Sequence, residues 1–457
     1  MRALNLDEIA WAVGGRLNNG DYNGLSINGV STDTRSLNAG ELFVAVEGPN
    51  FDGHSFIDQA FNKGAACVLA HKYTAADKPV ITVNDTRKAL LDLAAYYISL
   101  FEIKTIAVTG SVGKTTAKDL IASVLSRRFR VLKTQGNLNN DIGLPLTVFG
   151  IEDDTDIAVL EMGMSAEGEI RALSMAARPD AAVITNIGVS HMETLGSREA
   201  ILRAKCEVFA GMGPGGAVFL NGGDELLRAA DTAGLKTTHF GLTPDCDVTA
   251  ENIKKLGLTG VSFTLCGKDF KIDAAVNMPG THTVINALAA SAVGLSFGLS
   301  PEEIRDGLLD FKPTVNRLNI KEALNGAVII DDVYNASPDS VKAALEVLTG
   351  ADGRKICVLG DMMELGPQSA LFHEEAGCEA ARLGINIIIC VGERSRDTFT
   401  GAHKEIESGR SKSVASYFPD KKIAAAYLSG LLKKGDTVLV KASRAMAFED
   451  IVKEIIH

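Results

Sequence analysis

The sequence predicts an α/β protein of three domains, and three observations carry that prediction. Short apolar runs recur along the chain, each closed by a polar residue and followed by a helical pattern, as in parallel sheets with crossover helices. A length of 457 residues suits roughly three domains at ~150 residues each. An apolar content of 46% is enough for several buried cores. The expected units are 1–84, 85–313 and 314–457. The net charge of −11 leaves no broad basic surface for nucleic acid. Seven scattered Cys without a close pair fit free thiols in a reducing, cytoplasmic setting. The longest apolar runs, such as 385–391, are far too short for a membrane span, and 1–13 has no leader-like apolar core.

In the first unit, 42–46 and 66–70 read as strands, and 56–63 as a helix stopped at Gly64. The polar stretches Ser31-Thr32-Asp33-Thr34-Arg35 and 48–54 also suit ordinary turns. An amphipathic helix over 86–100 opens the second unit. The strand 106–108 then runs into Thr109-Gly110-Ser111-Val112-Gly113-Lys114-Thr115-Thr116, and a helical pattern follows over 117–129. Two glycines let the backbone bend so that N–H groups at a helix start can face a phosphate. Lys114 can reach the outer phosphates and the Thr115 hydroxyl can ligate Mg²⁺. Val108 stands where the full eight-position phosphate-loop pattern has its first Gly.

Further strands each end in polar residues: 157–160 in Glu161, 181–185 in Asn186 with His191 close behind, and 217–220 in Asn221 and Asp224. Open parallel sheets bind ligands beyond the carboxyl ends of their strands, so these residues should converge on Gly110 to Thr116. A hairpin over 261–272 with a two-residue turn at Gly267-Lys268 is expected. A helix over 283–297 follows, then a second begun by the capping box Ser300-Pro301-Glu302-Glu303. In the third unit, 327–330 ends in Asp331-Asp332, 356–359 in Gly360-Asp361, 387–391 in Gly392-Glu393, and 438–440 in Lys441 to Arg444. No short tandem repeat is present.

A loaded phosphate loop needs Mg²⁺ and therefore oxygen ligands, for which Glu161 is the best carboxylate. On residue type alone Glu161 could equally be a helix-start charge, His191 a structural histidine and Lys205 a solvated helix lysine.

The phosphate loop, with Glu161-Met-Gly163, Asn186-Ile-Gly-Val-Ser-His191 and Ala204-Lys-Cys-Glu207, resembles the Mur ligase family of ATP-dependent amide-forming enzymes. The resemblance covers essentially the whole chain. Four stretches narrow it to the members that add D-alanyl-D-alanine to UDP-N-acetylmuramoyl-tripeptide: Gly136-Asn-Leu-Asn-Asn-Asp-Ile-Gly-Leu-Pro145, Asp331-Asp-Val-Tyr-Asn-Ala-Ser-Pro338, Gly360-Asp-Met-Met-Glu-Leu-Gly366 and Val440-Lys-Ala-Ser-Arg444. It implies a small N-terminal α/β domain for the UDP-linked substrate and a central P-loop ATPase domain with a mostly parallel sheet plus a β-hairpin element. A C-terminal Rossmann-like domain would bring the acceptor.

The same resemblance implies a set of roles. Gly110, Ser111, Val112, Gly113, Lys114, Thr115 and Thr116 would hold ATP, with one Mg²⁺ at Thr115 and a second at Glu161 and His191. Lys205 matches a carbamylated lysine, and Lys114, Lys205 and His191 form the catalytic set. His282 and Asn286 match the adenine site, and Arg317 and Asp332 the third domain's nucleotide contacts. Asn137, Asn139 and Asn140 match a substrate-side loop. Asp33, Thr34 and Arg35 would meet the uridine diphosphate, and Tyr334, Asn335 and Asp361 the acceptor. A monomer is expected. Three residues depart from the family pattern: Thr283 and Ser337 where Asn is usual, and Ala442 where Gly is usual. The rival readings are a ligase of the same scaffold adding a single amino acid, a folylpolyglutamate synthetase-like ligase, and a P-loop switch. The switch would need an Asn-Lys-x-Asp motif, which the sequence lacks.

Overall fold

A computed structural model describes residues 1–20, 22, 24–49, 51–72, 77–314, 317–323 and 325–456. Three large sheets follow one another along the chain. The first has five short strands, in the order Arg16–Leu17, Val80–Thr82, Cys67–Ala70, Leu42–Val44, Val30–Ser31. The pairing is parallel except at the Arg16–Leu17 edge. The helix Ile57–Asn62 crosses between two of its strands and stops where Gly64 takes φ +94°.

The central sheet is wholly parallel and has six strands. Their order is Val131–Lys133, Ile157–Glu161, Lys104–Thr109, Ala181–Ile184, Ala217–Asn221, Lys236–Phe240. Lys104–Thr109 therefore lies inside, with the strands that end near Glu161 and Asn186 on either side. Side chains of a strand alternate between faces, and here the two faces join different cores. Val108, Val159 and Val183 pack into a core that runs on into the third unit through Val341 and Leu345. Ala107, Leu160 and Ile184 pack into one that runs on into the first unit through Leu42 and Leu69. Burial on both faces explains why these strands read as continuous apolar runs.

The expected hairpin is part of a three-stranded antiparallel sheet, Thr249–Lys255, Val261–Cys266, Lys271–Val276. Its turn is the four-residue loop 267–270, closed by the Gly267 N–H donating to Phe270 O at 3.1 Å, rather than a two-residue turn. The third sheet is parallel apart from its antiparallel edge strand Asn319–Glu322. It runs Asn319–Glu322, Val328–Asp331, Asp436–Lys441, Arg354–Gly360, Ile387–Val391, Val414–Phe418. Two neighbouring strands of this sheet, Val328–Asp331 and Asp436–Lys441, end at a cleft that the central sheet's glycine turn also lines.

Candidate active site

Steric necessity fixes the glycine turn. Gly110 takes φ +147° and Gly113 φ +85°. A Cβ on Gly110 would lie 1.9 Å from Thr185 Oγ1, and one on Gly113 2.9 Å from Asn286 Oδ1. Only glycine tolerates both the dihedral and the approach. The Asn186 side chain clamps the turn: its Oδ1 accepts from Val112 N–H at 3.0 Å and its Nδ2 donates to Val112 O at 2.8 Å. Thr185 Oγ1 donates to the same carbonyl at 2.6 Å. The Ser111 N–H donates to Asn186 O at 3.0 Å, and Ser111 Oγ accepts from the Gly188 N–H at 2.9 Å.

The helix Lys114–Leu125 starts from Gly113 without a side-chain cap. Among the described residues no acceptor meets the N–H groups of Gly113, Lys114, Thr115 or Thr116. Four bundled donors at a helix N-terminus make an anion site. Lys114 Nζ sits over them, donating to Gly110 O at 2.7 Å and Ser111 O at 3.3 Å. Burial lowers the Lys114 pKa, and the nearby Glu161 carboxylate opposes that.

Glu161 ends its strand and is 2% exposed. Its Oε1 accepts from Asn139 Nδ2 at 2.8 Å, while Oε2 is buried with no partner among the described residues. A buried carboxylate oxygen without a donor is costly unless a cation meets it. His191 stands in a left-handed backbone conformation, φ +64°, with Nδ1 2.8 Å from Oε2 of Glu364. Glu364 comes from the third unit, is itself at φ +65°, and is held below the usual carboxylate range by His191. No three His, Cys, Asp or Glu among the described residues form a metal cluster. A cation at Thr115, or one at Glu161 and His191, would therefore need further oxygens from a ligand. Lys205 does not line the cleft; it is buried behind it in the helix Arg198–Cys206, with no hydrogen bond or carboxylate partner among the described residues. Burial and then the Lys114 charge push its pKa far down.

The facing wall comes from the third unit. Lys441 Nζ, at the end of its strand, lies 2.5 Å from Asp332 Oδ2 and 3.0 Å from Asn335 O. The Tyr334 ring carries Arg317 at 4.1 Å and Arg444 at 5.2 Å from its centroid. His282 opens the helix Thr281–Ser296, and burial pushes its imidazole down to about 4, so it is neutral at pH 7. Together these residues bound a cleft of about 490 Å³. Asn137, Asn139, Asn140 and Asn286 line it as well, as do Tyr334 and Asn335.

Besides Lys205, four of the expected site residues lie outside this cleft. Asp33 and Arg35 pair with each other at 2.6 Å on the first unit's surface, where Arg35 draws the Asp33 carboxyl down to about 2. Thr34 donates to Gln59. Asp361 Oδ1 accepts from the Ser395 N–H at 2.8 Å and Oγ at 2.7 Å, so it serves the start of the helix Ser395–Glu407. Among the departures, Thr283 Oγ1 donates to Pro279 O at 2.9 Å, and Ser337 forms a capping box with Ser340. The Ala442 methyl faces the third unit's core beside Gly360, so it does not narrow the cleft. Glu364, Lys441 and Arg444 line the cleft and Asn186 braces it, yet the sequence reading assigned them no role. Their signal was position, each following an apolar strand or lying within a few residues of its end, and membership of the stretches that carry the family resemblance.

Three family models match the chain: the Mur ligase family catalytic domain over 26–98, the Mur ligase middle domain over 108–294, and the Mur ligase glutamate ligase domain over 316–444. The UDP-N-acetylmuramoyl-tripeptide–D-alanyl-D-alanine ligase of Bacillus subtilis strain 168 is 43% identical, over 98% of this chain and 97% of that protein. A crystal structure of MurF from Acinetobacter baumannii superposes with a TM-score of 0.92 at 31% identity, covering 100% of this chain and 99% of that one. The MurF ligase of Thermotoga maritima in complex with ADP gives 0.82 at 30% identity, over 93% and 96%. With a lysine-bearing phosphate loop facing a second sheet across one cleft, and with that likeness running end to end, the chain belongs to the Mur ligase family.

Proposed function

We propose that this protein is an ATP-dependent peptide ligase that joins D-alanyl-D-alanine to UDP-N-acetylmuramoyl-tripeptide, releasing ADP and phosphate. One observation carries the reading: the uncapped, lysine-bearing start of Lys114–Leu125 shares a cleft with the strand ends of the third unit. Such a cleft can hold a nucleotide against one wall and an acceptor against the other. The names of the relatives, matched along the whole chain, supply the substrates.

Amide formation from a carboxylate needs a better leaving group than oxide. ATP phosphorylates the terminal carboxylate of the tripeptide, the acceptor amine attacks the acyl phosphate, and phosphate leaves through a tetrahedral intermediate. Lys114 and the four free N–H groups offset the charge that builds between carboxylate and γ-phosphate. Mg²⁺, one ion at Thr115 and one at Glu161 with His191, supplies further neutralisation when bound, and the unpartnered Oε2 of Glu161 fits it. His282 and Asn286 would bound the adenine, with Arg317 and Asp332 closing over the nucleotide. Lys205, whose pKa burial and then the Lys114 charge push far down, is suited to take up CO₂ as a carbamate, the amine losing a proton and an anion then standing near Lys114. Asp33, Thr34 and Arg35 would serve the uridine diphosphate. The units 1–84, 85–313 and 314–457 would divide the work as UDP-substrate, ATP and acceptor domains. The protein would act as a monomer. All seven thiols are free, which suits a cytoplasmic enzyme.

The test is phosphate release and product formation with UDP-muramoyl-tripeptide, ATP and a panel of D-Ala-D-Ala, D-Ala, L-Lys and diaminopimelate. D-Ala-D-Ala should win clearly, because an acceptor lacking a matched polar group leaves site groups unpaired. Equal use of single amino acids on a dipeptide-linked precursor would overturn the assignment.

A further inference from the structure

We propose that Arg444 binds the C-terminal carboxylate of the acceptor dipeptide, an assignment that rests on the ligase reading above. The acceptor brings an amine that must meet the acyl phosphate and a carboxylate that must not. In an extended dipeptide the two are roughly 7 Å apart, at about 3.3–3.6 Å per residue, so the carboxylate needs a cation set back from the phosphate loop.

Four Lys or Arg side chains line the cleft among the described residues. Lys114 is committed to the phosphate loop. Lys441 is held by Asp332 and the Asn335 carbonyl. Arg317 lies over Tyr334 at 4.1 Å with a buried Nε that no group among the described residues meets, and the reading above gives it to the nucleotide. Arg444 alone is exposed, and no carboxylate or carbonyl among the described residues accepts from its guanidinium.

Geometry makes this cation a carboxylate receptor rather than a solvated surface charge. Arg444 opens the short turn Arg444–Met446 just past the strand Asp436–Lys441. Tyr334 follows the neighbouring strand Val328–Asp331, so the ring and the guanidinium come from adjacent strand ends of one sheet. The 5.2 Å contact with the Tyr334 ring restrains the guanidinium. Its N–H groups have no acceptor among the described residues, and they match a carboxylate in a two-point fork. The dipeptide then lies with its amine toward Lys114 and its carboxylate toward Arg444. A dipeptide with a free C-terminus is thereby distinguished from an amide or a longer peptide.

The experiment measures kcat and KM for D-Ala-D-Ala and for its C-terminal amide, D-Ala-D-alaninamide, at saturating ATP and UDP-muramoyl-tripeptide. Full-length wild type, Arg444→Ala and Arg444→Lys are compared, with thermal melts to establish folding. Wild type should prefer the acid over the amide by roughly 10- to 100-fold, the scale of a charge-assisted pair. Arg444→Ala should raise KM for the acid by that factor, leave KM for ATP within about twofold, and erase the acid–amide preference. Arg444→Lys should keep part of the preference, since a point charge replaces the fork. Should Arg444→Ala not fold, a weakened preference in Arg444→Lys supports the assignment and an undiminished one overturns it. An Arg444→Ala enzyme that still prefers the acid, or whose KM for ATP rises as much as that for the acceptor, overturns the role of Arg444 alone. Wild type that ligates neither dipeptide overturns the ligase reading and this inference with it.

Discussion

Replacing Asn186 with Ala tests whether the phosphate loop is held from outside or stands by itself. The Asn186 side chain makes two hydrogen bonds to the backbone of Val112, one at each end of the same residue. Each such bond is worth roughly 0.5–1.5 kcal/mol net, so losing both removes about 1–3 kcal/mol of loop order. The Ser111 N–H to Asn186 O bond belongs to the backbone and survives, as does the Thr185 hydroxyl bond to Val112 O. The lower half of that range is therefore expected. At about 1.36 kcal/mol per decade, nucleotide affinity should fall roughly 5- to 30-fold. The assay is calorimetric titration with ADP and with a non-hydrolysable ATP analogue, beside a thermal melt. Asn186→Asp keeps an acceptor for the Val112 N–H but sets a carboxylate against the Val112 carbonyl, so it should bind nucleotide no better than Asn186→Ala. A folded Asn186→Ala protein with wild-type affinity within about twofold would show that the turn needs no clamp.

Three further outcomes are expected. Lys114→Ala should cut turnover by ~10²-fold or more with little change in melting temperature, because it removes the one ammonium over the loop; near-normal turnover would place the chemistry elsewhere. Lys205→Ala should lose activity that short added carboxylates partly restore and amines do not. Wild type in ¹³C-labelled bicarbonate should show a carbamate resonance that the variant lacks, and identical spectra would refute the carbamate. Burial holds His282 at about 4 against its ordinary 6.5, so between those values the unfolded chain binds a proton that the folded chain refuses. That contribution is complete above pH 6.5 and is lost as the pH falls toward 4, amounting to about 3 kcal/mol. His282→Gln should lose correspondingly less stability to urea between neutral pH and about pH 4.5, and equal losses in both proteins would show that His282 is not the group responsible.

The phosphate loop was legible because everything that makes it is local: an apolar strand, two glycines and a helix within a few residues of one another. Strands buried on both faces were legible for a related reason, as Val108, Val159 and Val183 sit in apolar runs that no surface strand would carry. The edge strand Thr249–Lys255 was missed because only Ala250 and Ile253 in it are apolar and its form comes from pairing with Val261–Cys266. Asn319–Glu322 and Val414–Phe418, the two edges of the third sheet, were missed as well. Asp361 shows the limit of the strand-end rule. An acid there can face a ligand or the start of a helix, and only the fold shows that Ser395 takes it. The contact of His191 with Glu364 was out of reach, since nothing local couples residues of two different sheets.

The order of the central sheet has a consequence for how errors spread. Glu161, the glycine turn and Asn186 hang from three hydrogen-bonded neighbours, Ile157–Glu161, Lys104–Thr109 and Ala181–Ile184. A shift of the sheet carries all three along, so their mutual spacing is nearly blind to strain from either flanking unit. Lys441, Asp332 and Arg444 enjoy the same shelter within their own sheet. The tolerances therefore differ by kind: each wall is a stiff part made to a fine fit, while the gap between the walls is set by longer-range packing through Val341 and Leu345 and by the His191–Glu364 contact. Substitutions that drift in slowly at the seam would alter how tightly the enzyme grips its two substrates together long before they altered how it grips either alone.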